Sequence, residues 1–234
     1  MTFPSGLKTI NNGAFSNTNI KKVTLPNTVT VISDDAFSYC ENLSSLTLSN
    51  KLESVGYDTF AYCKSLTSVN LPNSLKYADW FLFRDCTSLK TVSIGSGLKE
   101  WHSQGDYGFI FKGCTALESI TVSSSNNNYS SANGIMYDKK KTEILVYPKA
   151  KKDTTYTVPS TINTLYGVST NNNPYLKTIT IPASVTDIRD HAVGYIEDDW
   201  DYNKVSGFTI KGYKGTAAER YARNNDFNFV QLQV

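Results

Sequence analysis

Residues 24–94 repeat one phrase three times. The copies read TLPNTVTVISDDAFSYCENLSSLTL from Thr24, TLSNKLESVGYDTFAYCKSLTSVNL from Thr47 and NLPNSLKYADWFLFRDCTSLKTVSI from Asn70. The phrase places Cys40, Cys63 and Cys86 at intervals of 23 residues. A register that holds over three copies predicts a stack of equivalent structural units.

The repeat continues on both sides of this stretch. A fourth copy, which carries Cys114, runs from Ile94 to Val122 with five extra residues. A degenerate first copy ends at Leu25, and two further copies follow Val158. One unit of this length cannot bury its apolar side chains alone, so the copies are expected to stack into one continuous core.

Each unit contains two short extended segments and a tight turn. The segment that ends at Leu71 alternates apolar and polar residues and is followed by Pro72, which is typical of a short strand ended by proline. A second extended segment carries Val29 and Ile32. The segment around Phe37 is too short for an independent helix and predicts a single helical or 3₁₀ turn.

The composition excludes several classes of protein. The chain has 234 residues, of which 23 are Lys or Arg and 21 are Asp or Glu, so its net charge is +2. This charge is too small for an electrostatic binder of nucleic acid or of a membrane surface. The sequence has no apolar run of about 18 residues and no signal-peptide pattern at its N-terminus, so no membrane span is predicted.

The repeat phrase resembles the BspA-type leucine-rich repeat of bacterial surface proteins. Two more segments support the resemblance: residues 130–159 are similar to the hairpin-bearing irregular repeat of that family, and residues 208–232 are similar to its terminal unit. The resemblance implies a curved solenoid and secretion or display at the cell surface. It also implies binding of protein or host components, and it implies no reaction.

We therefore expect a single leucine-rich-repeat domain over residues 1–234. Its fold class is an α/β solenoid that is rich in β-structure, with short helical or 3₁₀ turns, about seven repeats of about 23 residues and a helical C-terminal cap. The expected segments are regular repeats at 1–122, an irregular hairpin-bearing repeat at 123–158, two further repeats at 159–210 and the cap at 211–234. In the cap, Thr216 and Glu219 have the spacing of a capping box.

The four cysteines are predicted to be buried free thiols. Equivalent side chains on adjacent strands lie about 4.8 Å apart, which exceeds the roughly 3.5–4.5 Å between the Cβ atoms of a disulfide. Asn17 and Asn173 stand in the same slot, so a small polar side chain there is expected to bond to backbone groups at the bend. Zinc would require CxxC pairs, which are absent from the sequence.

The aromatic insertions are the first candidate binding site. The partner-binding residues that we predict are Trp101, Tyr107, Trp200 and Tyr202. Trp80 and Phe81 stand where other repeats carry polar residues, and they form either a satellite hydrophobic cluster or an exposed platform for a glycan or a protein. Aromatic side chains of this type often contribute most of the binding energy at interfaces.

The outward positions of the strand that closes each repeat are the alternative site. They form a stripe of small polar side chains, of which the central members are Ser45, Thr47, Ser68, Asn70, Thr91 and Ser93. Small hydroxyl side chains suit solvent-facing strand positions for reasons of β-propensity alone. The stripe also lacks the Trp, Tyr and Arg residues of binding hot spots.

Residues 194–204 interrupt the repeat with an acidic insertion. Glu197, Asp198, Asp199 and Asp201 surround Trp200 and Tyr202. A solvated loop, a calcium site and a carbohydrate patch are all compatible with this composition, although the spacing of an EF-hand is absent.

The sequence thus predicts a non-catalytic protein-interaction or adhesion module of a secreted or cell-surface bacterial protein. A carbohydrate-binding accessory module is the alternative. The expected partner is a protein or host surface component, with a glycan as the alternative, and neither nucleic acid nor a membrane span is expected. We expect no enzyme activity, cofactor or metal, because His102 and His191 lie in no HExxH motif and the sequence has no GxSxG motif.

Overall fold

The structure, a computed structural model, describes residues 2–102, 107–167, 172–198 and 201–233. Over these residues the chain forms a β-solenoid of about nine turns, slightly more than the seven repeats expected from the sequence. Each turn contributes short strands of two to four residues, as the alternating segments of the repeat predict.

Ten strands alternate between two parallel sheets in the N-terminal half. They are β1 (Thr9–Ile10), β2 (Lys22–Thr24), β3 (Val31–Ile32), β4 (Ser45–Thr47), β5 (Ser54–Val55), β6 (Ser68–Leu71), β7 (Tyr77–Ala78), β8 (Thr91–Ile94), β9 (Glu100–Trp101) and β10 (Ser119–Val122). The odd-numbered strands pair in the order β1-β3-β5-β7-β9. Among the even-numbered strands, β2 pairs with β4, and β6, β8 and β10 form a second row beside them.

Equivalent apolar residues of successive turns stack into a core between the two sheets. A row of phenylalanine rings runs along this core, with successive centroids 5.2, 5.6, 6.0 and 5.9 Å apart and the rings nearly parallel; its members are Phe15, Phe37, Phe60, Phe83 and Phe111. Burial of one such side chain contributes about 1.5–3 kcal/mol. The repeated phenylalanine is therefore a main source of the stability of each turn.

The cysteines form a second buried row, and all four are free thiols, as predicted. Each thiol donates a hydrogen bond to the carbonyl of the phenylalanine one turn earlier, as Cys114 Sγ does to the Phe83 oxygen at 3.0 Å. Asn173 also bonds to backbone carbonyls from this slot. Its side-chain amide donates to the carbonyls of both Pro148 and Lys151. In the first turn this slot holds Thr18, whose hydroxyl donates to the Phe15 carbonyl at 2.8 Å, and not Asn17, which lies one position earlier beside Tyr39. The placement of Asn17 from the sequence was therefore wrong, while the expected bonding to backbone groups at the bend is confirmed for the cysteines and Asn173.

An antiparallel unit follows the ten alternating strands. It consists of β11 (Tyr129–Ala132), β12 (Ile135–Asp138) and β13 (Ile144–Val146), and it lies within the segment that the sequence marks as irregular. Side chains of β12 alternate between two cores: Met136 packs into the N-terminal core, whereas Ile135 and Tyr137 pack into the C-terminal core. The hairpin thus separates and joins two hydrophobic cores.

The solenoid continues from the hairpin to the C-terminus. Its elements are β14 (Thr155–Thr157), β15 (Thr164–Leu165), β16 (Thr178–Thr180), β17 (Asp187–Ile188), β18 (Tyr195–Asp198), β19 (Asp201–Lys204), β20 (Thr209–Gly212), helix α1 (Ala217–Asn224) and β21 (Asn228–Gln231). Strands β14, β16, β20 and β21 form a parallel sheet, and β15 pairs with β17. Helix α1 packs its buried alanines and Tyr221 over β17, β20 and β21.

The start of α1 differs in detail from the predicted capping box. Thr216 is the N-cap residue, but its side chain makes no capping bond, because its hydroxyl donates instead to the Tyr213 carbonyl at 2.6 Å. Glu219 accepts the backbone N–H of Gly215 at 2.6 Å, one residue earlier than a capping box requires. The reciprocal pair of a capping box is therefore absent, and Glu219 instead fixes the residue that precedes the N-cap.

Candidate functional site

The tight turns of the repeat lie on one side of the solenoid, which we call the turn face. Two rows of residues with left-handed backbone run along this face: one contains Asn17, Tyr39, Tyr62, Asp85 and Gly113, and the other contains Gly13, Asp35, Asp58 and Phe81. In the first row, each backbone N–H from Asn17 to Asp85 donates to a carbonyl of the next turn at 2.7–2.8 Å. The left-handed conformation is thus imposed by the bonding between successive turns.

Three bulky aromatic residues occupy positions in these rows. Tyr39, Tyr62 and Phe81 have φ values of 57°, 60° and 54°. Glycine, asparagine and aspartate tolerate this region, whereas bulky side chains there are uncommon and strained, at a cost of roughly 1–3 kcal/mol each. The same slots hold Asn17 and Gly113 in other turns, so the fold itself does not require aromatic residues there.

These aromatic residues form a compact cluster with an arginine, which we call the turn-face patch: Tyr39, Tyr57, Tyr62, Trp80, Phe81 and Arg84. The rings of Tyr39 and Tyr62 stack at 4.3 Å and 7°. The guanidinium of Arg84 lies 5.2 Å from the Tyr62 ring and 4.8 Å from the Phe81 ring. Tyr39 and Tyr57 remain 46% and 37% exposed, so the patch is accessible to a partner.

A partly buried ion pair links the arginine of the patch to Asp58. Arg84 Nη2 donates to Asp58 Oδ2 at 2.7 Å, and the Asp58 side chain is only 7% exposed. Burial raises the pKa of Asp58 to about 6, although the nearby guanidinium of Arg84 opposes this change. Asp58 Oδ1 and Arg84 Nε are both buried without a hydrogen-bond partner. The pair fixes the guanidinium between the two rings, but at a considerable desolvation cost.

Trp101 is not part of an exposed surface, and the expectation that it contacts a partner is not met. Its side chain is 3% exposed, and its ring packs edge-on against Phe111 in the N-terminal core. The reason is the alternation of β9, in which Glu100 points outward and Trp101 points inward in register with Ala78. The insertion begins after this strand, so Trp101 belongs to the regular repeat.

The other three predicted aromatic residues are only partly described. Tyr107 opens a 3₁₀ helix at Tyr107–Phe111, but its side chain lies outside the described part of the chain, as does Trp200 as a whole. Tyr202 is 40% exposed and stacks on the ring of His191 at 4.1 Å and 2°. Of this set, the structure therefore places one exposed aromatic side chain on the C-terminal insertion.

That insertion is a β-hairpin rather than an irregular loop. Strands β18 and β19 pair in antiparallel register, with Glu197 opposite Tyr202. The hairpin is tied to its surroundings by the Glu197 N–H, which donates to Asn172 Oδ1 at 2.6 Å. Its other end is held by Lys204 Nζ, which lies 3.5 Å from Asp226 Oδ2. Of its aromatic and acidic residues, Glu197, Asp201 and Tyr202 thus stand on paired strands.

The strand-face alternative forms the regular stripe that the sequence indicates. Its residues on β6 and β8 stand in register, those on β4 lie beside β6, and the Ser93 hydroxyl lies 2.5 Å from Asn70 Oδ1. Ser45 and Ser93 are half-buried, while Thr47, Ser68, Asn70 and Thr91 are exposed. The stripe is flat, polar and uncharged.

The structure offers no catalytic arrangement among its described residues. Burial raises the pKa of Cys63, Cys86 and Cys114, in the case of Cys86 to about 12, so these thiols remain protonated. Within the described ranges, no three His, Cys, Asp or Glu side chains converge as a metal site. A polar cleft of about 330 Å³ lies between β17 and α1, but the Tyr221 hydroxyl that lines it is committed to the Val193 carbonyl.

The sequence interpretation missed Tyr39 and Tyr62. Both precede the repeated cysteine, at a slot that holds asparagine, aspartate or glycine in neighbouring turns. The mismatch between tyrosine and its slot is visible once the repeats are aligned. What the alignment alone does not show is that the slot has a positive φ, that Tyr39 is exposed and that Tyr62 is half-buried beneath it.

The architecture defines a leucine-rich-repeat solenoid, and the comparisons with known proteins agree. The BspA-type leucine-rich repeat region matches residues 1–107, 32–151 and 108–197, with six copies in total. The chain belongs to this family. Among curated proteins, none matches the sequence.

Solved structures of bacterial repeat proteins share the fold. A leucine-rich repeat protein from Eubacterium ventriosum is similar with a TM-score of 0.62 and 24% identity, over 91% of this chain and 59% of that one. A leucine-rich repeat protein from Bacteroides ovatus gives a TM-score of 0.52 at 16% identity, over 99% of this chain and 59% of that one. This chain therefore spans somewhat more than half the length of these structures. In the described part of the chain, no helix is long and apolar enough to cross a membrane.

Proposed function

We propose that the chain is a non-catalytic protein-binding module of a secreted or cell-surface bacterial protein, with a role in adhesion. The observation that carries this proposal is the turn-face patch, which combines Tyr, Trp and Arg at an accessible surface. These three residue types are the ones most enriched at binding hot spots. The surface location and the adhesive role rest on the resemblance of the repeat to that of bacterial surface proteins.

The backbone conformation of the patch supports recognition rather than packing. Tyr39 occupies a strained left-handed position and leaves 46% of its surface exposed. A residue kept for stability would be expected to relieve strain or to bury its ring, and Tyr39 does neither fully. Strained positions of this kind cluster at functional sites.

Ring orientation in the patch favours a protein partner over a glycan. The Tyr39 and Tyr62 rings cover one face of each other and Arg84 lies over Tyr62, so apart from the outer face of Tyr39 the patch presents mainly ring edges and hydroxyl groups. A sugar packs its C–H face on an open aromatic face, whereas ring edges and hydroxyls suit the mixed surface of a protein. A protein partner is therefore the better match to the larger aromatic surface.

A carbohydrate-binding accessory function is the second candidate, and the C-terminal hairpin favours it. Tyr202 is 40% exposed on β19, and Glu197 stands opposite it across the hairpin. An aromatic ring beside carboxylates provides both a stacking surface and hydrogen-bond acceptors for sugar hydroxyls. The strand-face stripe is a third possible binding surface, and it offers hydroxyl groups but no aromatic anchor.

The experiment that tests the function compares two arrays with the same purified chain. Fluorescently labelled protein is applied to a glycan array and to a yeast-displayed library of extracellular proteins. We expect reproducible protein binders and an empty glycan array. Glycan binding that is lost in Trp200→Ala/Tyr202→Ala would replace the protein-binding function with the carbohydrate-binding one.

Three variants then assign any protein binder to a surface. We expect Tyr62→Asn to weaken binding at least about tenfold, as for a hot-spot residue, while Ser68→Ala/Asn70→Ala leaves it unchanged. Trp200→Ala/Tyr202→Ala is the third variant, and its effect shows whether the hairpin contributes. Loss of binding only in the strand-face variant would place the site on the stripe.

A further inference from the structure

The turn-face patch is surrounded by an excess of negative charge, although the chain as a whole has a net charge of +2. The turn segments 33–39, 56–62, 79–85 and 109–113 contain five aspartates and two cations, Arg84 and Lys112. The aspartates are Asp34, Asp35, Asp58, Asp79 and Asp85. A surface of this sign attracts a positively charged partner and repels an acidic one.

Arg84, the arginine of the patch, does not neutralise the negative charge that a partner would meet. The Arg84 side chain is 25% exposed, and its Nη2 group is bonded to the buried carboxylate of Asp58. Its charge is thus compensated from beneath, and Asp35 and Asp85 add to the negative field at Asp58. An acidic segment of a partner would have to compete with Asp58 for the same guanidinium.

Tyr39 provides a place for a cation at the end of the aromatic row. One face of its ring is covered by Tyr62, and the equivalent slot of the preceding turn holds Asn17, which has no ring to cover the other face. Within the patch, the guanidinium of Arg84 already lies 5.2 Å from the Tyr62 ring on the opposite side of the row. A second cation over the free face of Tyr39 would repeat this contact, and such contacts are favourable within about 6 Å.

The geometry points to a protein segment with an exposed Lys or Arg next to an apolar residue as the occupant of the patch. The cation lies over Tyr39 in the field of the aspartates, and the apolar neighbour packs on Tyr57 and Phe81. This inference rests on the proposed protein-binding function and specifies the chemistry of the partner.

The test uses a phage-displayed library of random 12-residue peptides selected on the immobilised full chain. Recovered peptides are synthesised and titrated by calorimetry, together with versions in which each Lys or Arg is replaced by Ala or by Glu. We expect recovered sequences to be enriched in Lys and Arg beside Leu, Phe or Trp. Replacement of the key cation by Glu should weaken binding more than tenfold, and binding should weaken as the salt concentration rises.

The variants of the chain are chosen so that they fold. Tyr39→Asn and Tyr62→Asn introduce the residue that Asn17 already provides in this slot with a φ of 58°. We expect each to weaken the selected peptides at least tenfold, with the Tyr39 variant losing the preference for a cation. Thr47→Ala/Asn70→Ala on the strand face is the matched control and should bind normally.

The outcomes separate the inference from the function on which it rests. Peptides without cations that bind the patch would overturn the basic partner and leave the protein-binding function intact. Binding that survives both tyrosine variants would overturn the patch as the site. A selection that recovers no peptide, combined with glycan binding on the array, would overturn both.

Discussion

At the scale of single residues, the turn face shows how a repeat accommodates a side chain that its fold does not require. Asn17, Asp85 and Gly113 occupy a left-handed slot with residue types that tolerate it, and Tyr39 and Tyr62 occupy it at a cost. The two tyrosines recover part of this cost by stacking, which contributes about 0.5–1.5 kcal/mol beyond burial. We infer that the remaining conformational cost is tolerated because the two tyrosines take part in recognition.

The raised pKa of Asp58 predicts a specific dependence of stability on pH. The folded-state value of about 6 exceeds the ordinary value of 3.8, so between these values the folded chain holds a proton that the unfolded chain releases. The contribution of Asp58 to the free energy of unfolding is therefore fully present below pH 3.8 and is lost as the pH rises to about 6.

Chemical denaturation at intervals from pH 4 to pH 7 measures this effect. Asp58→Asn should remove this pH dependence. The free energy of unfolding of the variant should therefore rise relative to that of the wild type between pH 4 and about pH 6. Asp201→Asn provides the control at an exposed position. If the free energies of unfolding of Asp58→Asn and the wild type differ by the same amount at every pH from 4 to 7, the pKa of Asp58 is not raised.

At the scale of elements, the cap depends on a small apolar face of α1. Ala218 and Ala222 are fully buried against the last strands, while Arg223 beside them is exposed. The helix covers the outer edge of β17, which would otherwise be open for pairing with another chain. A buried charge on this face should therefore release the cap.

Ala222→Asp should lower the stability of the cap by about 3 kcal/mol or more, because an unpaired carboxylate would be buried. We expect this variant to associate at micromolar concentration in light scattering, with Arg223→Asp as a control that stays monomeric. A monomeric Ala222→Asp with an unchanged melting temperature would show that α1 does not protect the edge.

The elements also show what the sequence predicts and what it does not. The spacing of Phe37, Phe60 and Cys63 was sufficient to predict the stacked rows, because equivalent positions of a solenoid must coincide in space. The sequence interpretation misplaced Trp101, because the boundary of an insertion cannot be located from the extra length alone. Tyr39 and Tyr62 were overlooked because a positive φ depends on bonds between turns, which one repeat does not reveal.

At the scale of the whole molecule, the antiparallel hairpin links two hydrophobic cores. Met136 packs into the N-terminal core, and Tyr137 packs into the C-terminal core, where its hydroxyl lies 3.1 Å from that of Tyr156. Because each turn contacts mainly its neighbours, damage to one core is expected to remain local at first.

Hydrogen exchange followed by mass spectrometry tests this division. Met136→Ala should reduce protection chiefly in residues 69–122, and Tyr137→Ala should reduce it chiefly in residues 158–210. Each substitution removes a fully buried side chain, at a cost of about 2–5 kcal/mol. Equal loss of protection in both halves for either variant would indicate a single cooperative core.

If the turn-face patch serves binding and not folding, Tyr39→Asn and Tyr62→Asn should leave the free energy of unfolding nearly unchanged. Each substitution gives up part of one ring stack and relieves a strained backbone, and these two effects are of similar size. We therefore expect the free energy of unfolding of each variant, measured by chemical denaturation, to stay within about 1 kcal/mol of the wild type. A loss of more than about 2 kcal/mol in either variant would show that the rings are structural and would contradict the claim.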